Sequence, residues 1–244
     1  MIRLVRAELL KLRTTRLLIW LGLLIVALEV LVIALHVGQD SLESLAEPRQ
    51  QRDVVSIAAV SALISLILGI VSSAGEFAHG TINSTFLVAP VRERVVGAKL
   101  VAAVIAGAIL GLAACMFAWA FAALLLSSRS VPVHLFEGSV LRVALGTILA
   151  AALTGAFGVG YGALVSGQTA AIVIVLIWLL VGEPLVGIAD VQQYAPGHVV
   201  ASVVEAGNQS SELLSFGAGI AVALLYLAIA GTLGAAVLRR TDVT

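Results

Sequence analysis

LLIWLGLLIVALEVLVIALHV, residues Leu17–Val37, is hydrocarbon interrupted by one carboxylate, Glu29, and one imidazole, His36. A helix rises about 1.5 Å per residue, so roughly 20 apolar residues cross a bilayer core about 30 Å thick. This run is long enough, and similar runs follow at Val54–Ser73, Val101–Leu126, Val140–Val165 and Leu213–Leu238. Another begins near Gln168 with TAAIVIVLIWLLVG and is short before Glu183–Pro184 interrupts it. The expected fold is therefore all-α and integral to a membrane, with six spans in a single domain covering residues 1–244.

Composition agrees. Of the residues, 61% are hydrophobic and 11% charged, and the mean hydropathy is +1.12. A water-facing domain usually carries roughly 25% charged residues. The net charge of zero gives no field that would attract nucleic acid. The lone Cys115 rules out an internal disulfide and reads as a small buried hydrophobe.

Positive charge sets orientation. The first sixteen residues hold Arg3, Arg6, Lys11, Arg13 and Arg16 against one acid, Glu8. The next loop is acidic through Asp40, Glu43, Glu47 and Asp53, while Arg92, Arg94 and Lys99 follow the second run and Arg239–Arg240 the last. The segment 183–212 has four acids and no Lys or Arg. Both termini and the 76–99 loop are thus expected on the cytoplasmic side of a cell membrane, with Arg129 and Arg142 dissenting on the outer side. The first run is too long for a signal-peptide core and lacks a small-residue cleavage site, so it is expected to remain as a span. Before it, Ile2, Val5, Leu9 and Leu12 recur at helical spacing with Arg3, Arg6 and Arg13 on another face. Residues 1–16 read either as an amphipathic interfacial helix or as a basic flank that only sets topology. The basic set Arg3, Arg6, Lys11, Arg13, Arg92, Arg94 and Lys99 is expected to meet lipid headgroups.

The loop EFAHGTINSTFLVAPVRERVVGAK, Glu76–Lys99, is polar and punctuated between two apolar runs. Glu76 suits the first turn of a helix, Gly80 permits a reversal, Thr81, Asn83, Ser84 and Thr85 offer caps, and Pro90 stops any continuing helix. A short helix along the membrane surface is expected, carrying Ile82, Phe86 and Leu87. The order Glu76, Gly80-Thr81-Ile82, Ser84, Leu87, Pro90, Arg92, Arg94, Lys99 resembles the loop between the second and third spans of ABC-2 type transporter permeases. That resemblance implies a coupling helix, built on Glu76, Gly80, Thr81, Ile82, Ser84, Leu87 and Pro90, which docks on an ATP-binding subunit. It also implies six spans with both ends inside and an outer segment, here 183–212, able to form re-entrant helices broken at Pro184 and Pro196-Gly197. Two permease domains, identical or paired with a sister chain, would join two ATP-binding subunits, and export is the implied direction. The cargo stays open among drugs, antibiotics, lipids and peptides.

No phosphate-binding G-x-x-x-x-G-K-[ST] loop, H-E-x-x-H or G-x-S-x-G occurs. The chain is expected to bind no cofactor and to have no catalytic or metal site, with ATP and magnesium held by the partner ATPase. Glu29 has two readings: facing a substrate path or pairing with another span, or lying near enough to the outer end, by His36, to reach water or be protonated. Pro196 and His198 mark a gate or a solvated interface. Gly107 and Gly111, and Gly158 and Gly162, are spaced for close helix packing, within the domain or, as the second reading, at a dimer contact. Two other classes compete with the transporter subunit: an ATP-independent carrier or channel, which would show inverted repeats and more intramembrane charges, and a membrane enzyme, which the missing motifs disfavour.

Overall fold

A computed structural model describes residues 1–78, 92–134, 138–165, 167–186, 191–204 and 213–240. Among them the structure is helical, as an apolar medium demands, since a helix satisfies its backbone groups within one segment. An N-terminal helix, Ile2–Thr14, precedes six helices long and apolar enough to cross a membrane. These are span 1 (Arg16–Gln39), span 2 (Pro48–Glu76), span 3 (Glu93–Ser128), span 4 (Gly138–Leu164), span 5 (Gln168–Val186) and span 6 (Phe216–Val237). A short cap helix, Pro196–Val204, lies between spans 5 and 6. This is the architecture of a multi-pass membrane protein.

Span 4 is the hub, packed against spans 2, 3 and 6 and the cap helix. Its small residues make this possible. A Cβ on Gly158 would sit 3.1 Å from the Gly69 Cα and the Ile70 N of span 2. One on Gly111 of span 3 would sit 3.0 Å from the Ala151 Cβ and the Ile148 Cα of span 4. Gly107 likewise packs on Ala151 and Ala152, Gly162 on Ile70, and Gly160 on Ala230 and Gly231 of span 6. Both glycine pairs picked out by spacing therefore serve packing within the chain. Without a hydrophobic drive between helices in lipid, such close backbone approach supplies the cohesion. Thr154 adds a hydroxyl donated across to the Ala62 carbonyl at 2.8 Å. Span 5 differs: only 6% of its apolar window is buried, against 56% for span 2.

Several boundaries depart from expectation. Span 2 starts at Pro48, with proline in the first turn, where its missing N–H costs nothing. The Glu183–Pro184 pair does not end span 5. The backbone widens into a π turn over Trp178–Gly182, with the Glu183 N–H reaching the Trp178 carbonyl, and the helix continues to Val186. A wide turn is one way a helix absorbs the hydrogen bond that proline cannot make. Span 3 ends at Ser130 in the left-handed region (φ 58°), with the Val131 N–H on Leu126 and the Ser130 N–H on Ser127, a Schellman closure. The preceding residue, Arg129, donates from its guanidinium to the Val37 carbonyl at 2.7 Å. A cation at the carbonyl end of span 1 is well placed against the helix dipole, which accounts for one of the two arginines that dissent from the charge pattern. Buried Gln51 closes the same end of the bundle, donating to the Leu45 and Pro132 carbonyls at 2.9 and 2.7 Å and accepting from the His134 N–H at 2.7 Å.

Candidate functional site

At the end of the bundle that carries the N-terminal helix, four charges from three helices form a closed ring. Glu8 and Lys11 lie three residues apart on one face of the N-terminal helix, and their side chains meet at 2.8 Å. Lys11 also reaches Glu76 Oε1 of span 2 at 2.9 Å. Lys99, from the first turns of span 3, completes the ring at 2.8 Å to Glu8 Oε2 and 2.8 Å to Glu76 Oε1. Its ammonium approaches the Ser72 carbonyl at 3.4 Å as well. Charges alternate around the ring, so each carboxylate touches two ammonium groups and none faces a like charge directly.

Burial makes this more than a surface network. The Lys99 side chain is 6% exposed, Glu8 10% and Glu76 13%, whereas Lys11 is 45% exposed. Burial alone would push the Glu8 carboxyl up, but Lys99 and Lys11 outweigh it and hold the group below its ordinary value. For Lys11, burial works downward, and hydrogen bonds to Glu8 and Glu76 raise it overall.

Glu76 stands in a different place from the one its neighbours suggest. It lies in the last turn of the helix Val60–Ala78, not in the first turn of a new one. A carboxylate at a helix C-terminus opposes the dipole, so the two ammonium groups, not the helix end, hold it. Of the basic residues expected at headgroups, Arg3, Arg6, Arg13 and Arg94 are exposed. Lys99 is turned inward and Lys11 is shared between two carboxylates. Gly80, Thr81, Ile82, Ser84, Leu87 and Pro90, and the Arg92 side chain, lie outside the described residues. Glu8 was visible in the sequence only as a lone acid among five basic residues; its position three before Lys11 was the available signal.

Glu29 does not reach water. It is wholly buried on the face Leu21, Ile25, Glu29, Ile33, Val37 that packs on spans 2 and 3. Among the described residues neither of its oxygens has a hydrogen-bond partner. His36 faces Gln50, 3.0 Å away, and not Glu29. An intramembrane acid pointing into the bundle avoids lipid, where a charge is most costly.

Pro196 and His198 occupy the opposite end, in the first turn of the cap helix. Here the Glu183 carboxylate of span 5 accepts the Gly197 N–H, and a Cβ at Gly197 would displace that carboxylate. The Tyr226 hydroxyl of span 6 donates to the Tyr194 carbonyl, and Ser202 Oγ accepts the Leu214 N–H at 3.1 Å. Three bonds thus tie the cap helix and the turn before it to span 5, span 6 and the residues leading into span 6. The expected site residues therefore separate into a charged end and a capped end, with Glu29 between them. Among the described residues, no three His, Cys, Asp or Glu gather as a metal site. No family model matches the chain, and no curated protein matches it.

Proposed function

We propose that this chain is the membrane-spanning subunit of an ATP-driven exporter of the ABC-2 type, moved by a separate ATP-binding subunit. The reading draws on the resemblance of Glu76–Lys99 to the coupling loop of that family. The observation that carries it is the ion ring. Glu76 ends span 2 where the chain enters segment 79–91, and Lys99 stands where the chain returns into span 3. Both are bound to the N-terminal helix through Glu8 and Lys11. A force applied to that segment is thus delivered to three helices together. In this reading two permease chains, alike or sister, meet two ATPases, and both termini face the cytoplasm with the ring.

The test is purification of the tagged chain from its native membrane in mild detergent, followed by mass spectrometry of what accompanies it. A stoichiometric subunit with a phosphate-binding loop supports the reading. A clean oligomer of this chain alone, even after crosslinking, sinks it in favour of a carrier that works without an ATPase. Glu76→Gln then addresses the coupling role: insertion is retained and transport-linked ATP hydrolysis falls. Unchanged hydrolysis and transport remove Glu76 from the coupling path.

A further inference from the structure

At the capped end, a pocket of about 180 Å³ lies under the cap helix, between spans 2, 4, 5 and 6. Leu63 and Leu66 of span 2, Phe157 of span 4, Val200 of the cap and Ala223 of span 6 form its walls. Only two side chains in the lining carry a polar atom, Thr154 and Tyr226, and both hydroxyl hydrogens are already committed, to the Ala62 and Tyr194 carbonyls. The chamber thus offers no free donor, and a polar guest would lose its hydration there without replacement. Its rim is different. Pro196 and Gly197 border it, the Glu183 carboxylate sits on the Gly197 N–H, and the His198 Nδ1 is buried with no hydrogen-bond partner among the described residues.

An apolar chamber with the Glu183 carboxylate at its edge has the shape and polarity of an amphiphile's complement. The geometry points to a binding site for an amphiphile with one hydrocarbon chain and a cationic headgroup, the chain in the chamber and the head beside Glu183. This rests on the transport reading only in making that amphiphile the cargo; the binding does not depend on an ATPase. The Glu183 carboxylate disfavours anionic heads, and a chamber of this volume takes one chain, not a pair.

The probe is an alkyl-trimethylammonium with a photoactivatable diazirine near the chain end, compared with the same chain bearing a sulfate head. Both are applied to the full chain in vesicles of zwitterionic lipid, and crosslinked peptides are mapped by mass spectrometry. The expected result is saturable labelling around Leu66, Phe157 or Ala223 by the cationic probe, at least tenfold stronger than by the sulfate. Ala223→Leu extends a side chain into the chamber. Each ligand methylene kept out weakens binding about fourfold, so loss of two gives roughly a fifteenfold fall. Glu183→Gln keeps an acceptor for the Gly197 N–H but removes the charge, and should erase the preference between heads while labelling persists. Equal labelling by both probes in the unaltered chain means that bulk lipid fills the pocket without selection and overturns the proposal. So does non-saturable labelling, or labelling that Ala223→Leu leaves unchanged. Either failure leaves the copurification result standing, so the two readings are tested apart.

Discussion

Lys99→Met is the substitution that examines the ion ring most sharply. Methionine matches the length and apolar stem of lysine, so packing is kept while the ammonium is lost. The change leaves Glu8 and Glu76, with side chains 10% and 13% exposed, sharing only Lys11. Removing one partner of a buried pair costs about 3–5 kcal/mol, because the remaining charge stays buried. Lys11→Met removes a cation that also touches both acids, yet its side chain is 45% exposed, and exposed pairs contribute only about 0.2–1 kcal/mol. At roughly 2–4 °C per kcal/mol for a chain of this size, Lys99→Met should lower the thermal midpoint in detergent by about 6–20 °C. Lys11→Met should lower it by no more than about 4 °C. Adding Glu8→Gln to Lys99→Met should recover part of the loss, since one of the two stranded carboxylates is neutralised. Equal shifts for the two lysine variants, or strict additivity of Glu8→Gln with Lys99→Met, would refute a buried, mutually dependent ring.

Other expectations can be checked with the same purified protein. The folded-state pKa of Glu8 lies below its ordinary 4.5, so its contribution is present above that value and lost as pH falls below it. Lys11 is raised above 10.5, so its contribution is present below that value and lost as pH climbs past it. The share of stability that comes from Glu8 and Lys11 should therefore be flat between these limits, and Glu8→Gln should flatten the acid edge. Gly158→Ala, whose Cβ would overlap the Leu66 carbonyl oxygen of span 2, should cost about 1–3 kcal/mol. Gly22→Ala, with nothing within 4 Å, should be neutral or stabilising by up to about 1 kcal/mol; comparable losses at both sites count against the packing account. Glu29→Leu should stabilise by about 1–3 kcal/mol, because two unpartnered buried oxygens are replaced by hydrocarbon; a lowered midpoint reveals a partner for that carboxylate. Tyr226→Phe deletes one pin of the cap, worth about 1 kcal/mol. It should raise amide exchange in Pro196–Val204 selectively, and unchanged exchange there removes that hydroxyl from the cap's support.

The spans were legible in the sequence because hydropathy is a local property that accumulates along the chain. Five of the six runs needed only their ends moved, and the sixth needed a π turn that no composition rule signals at Pro184. The close-packed glycines were also legible, since spacing alone puts them on one helix face. Which spans they would touch was not. The ring was half visible: Glu76, Lys11 and Lys99 stood out, but each for a role that its surroundings revise. Glu76 read as a helix start and is a helix end; Lys99 read as a headgroup contact and is buried.

Length, helical class, number of spans and the basic and acidic segments follow from the sequence alone, because each depends on residues near one another along the chain. Partnership does not. Lys99 and Glu8 are 91 positions apart, and Lys11 and Glu76 65; nothing in a run of residues says which charge will face it across a bundle. The tertiary structure decided that by packing span 4 through its small residues against spans 2, 3 and 6. In that arrangement the N-terminal helix lies beside span 3, and four charges from three helices pair with one another.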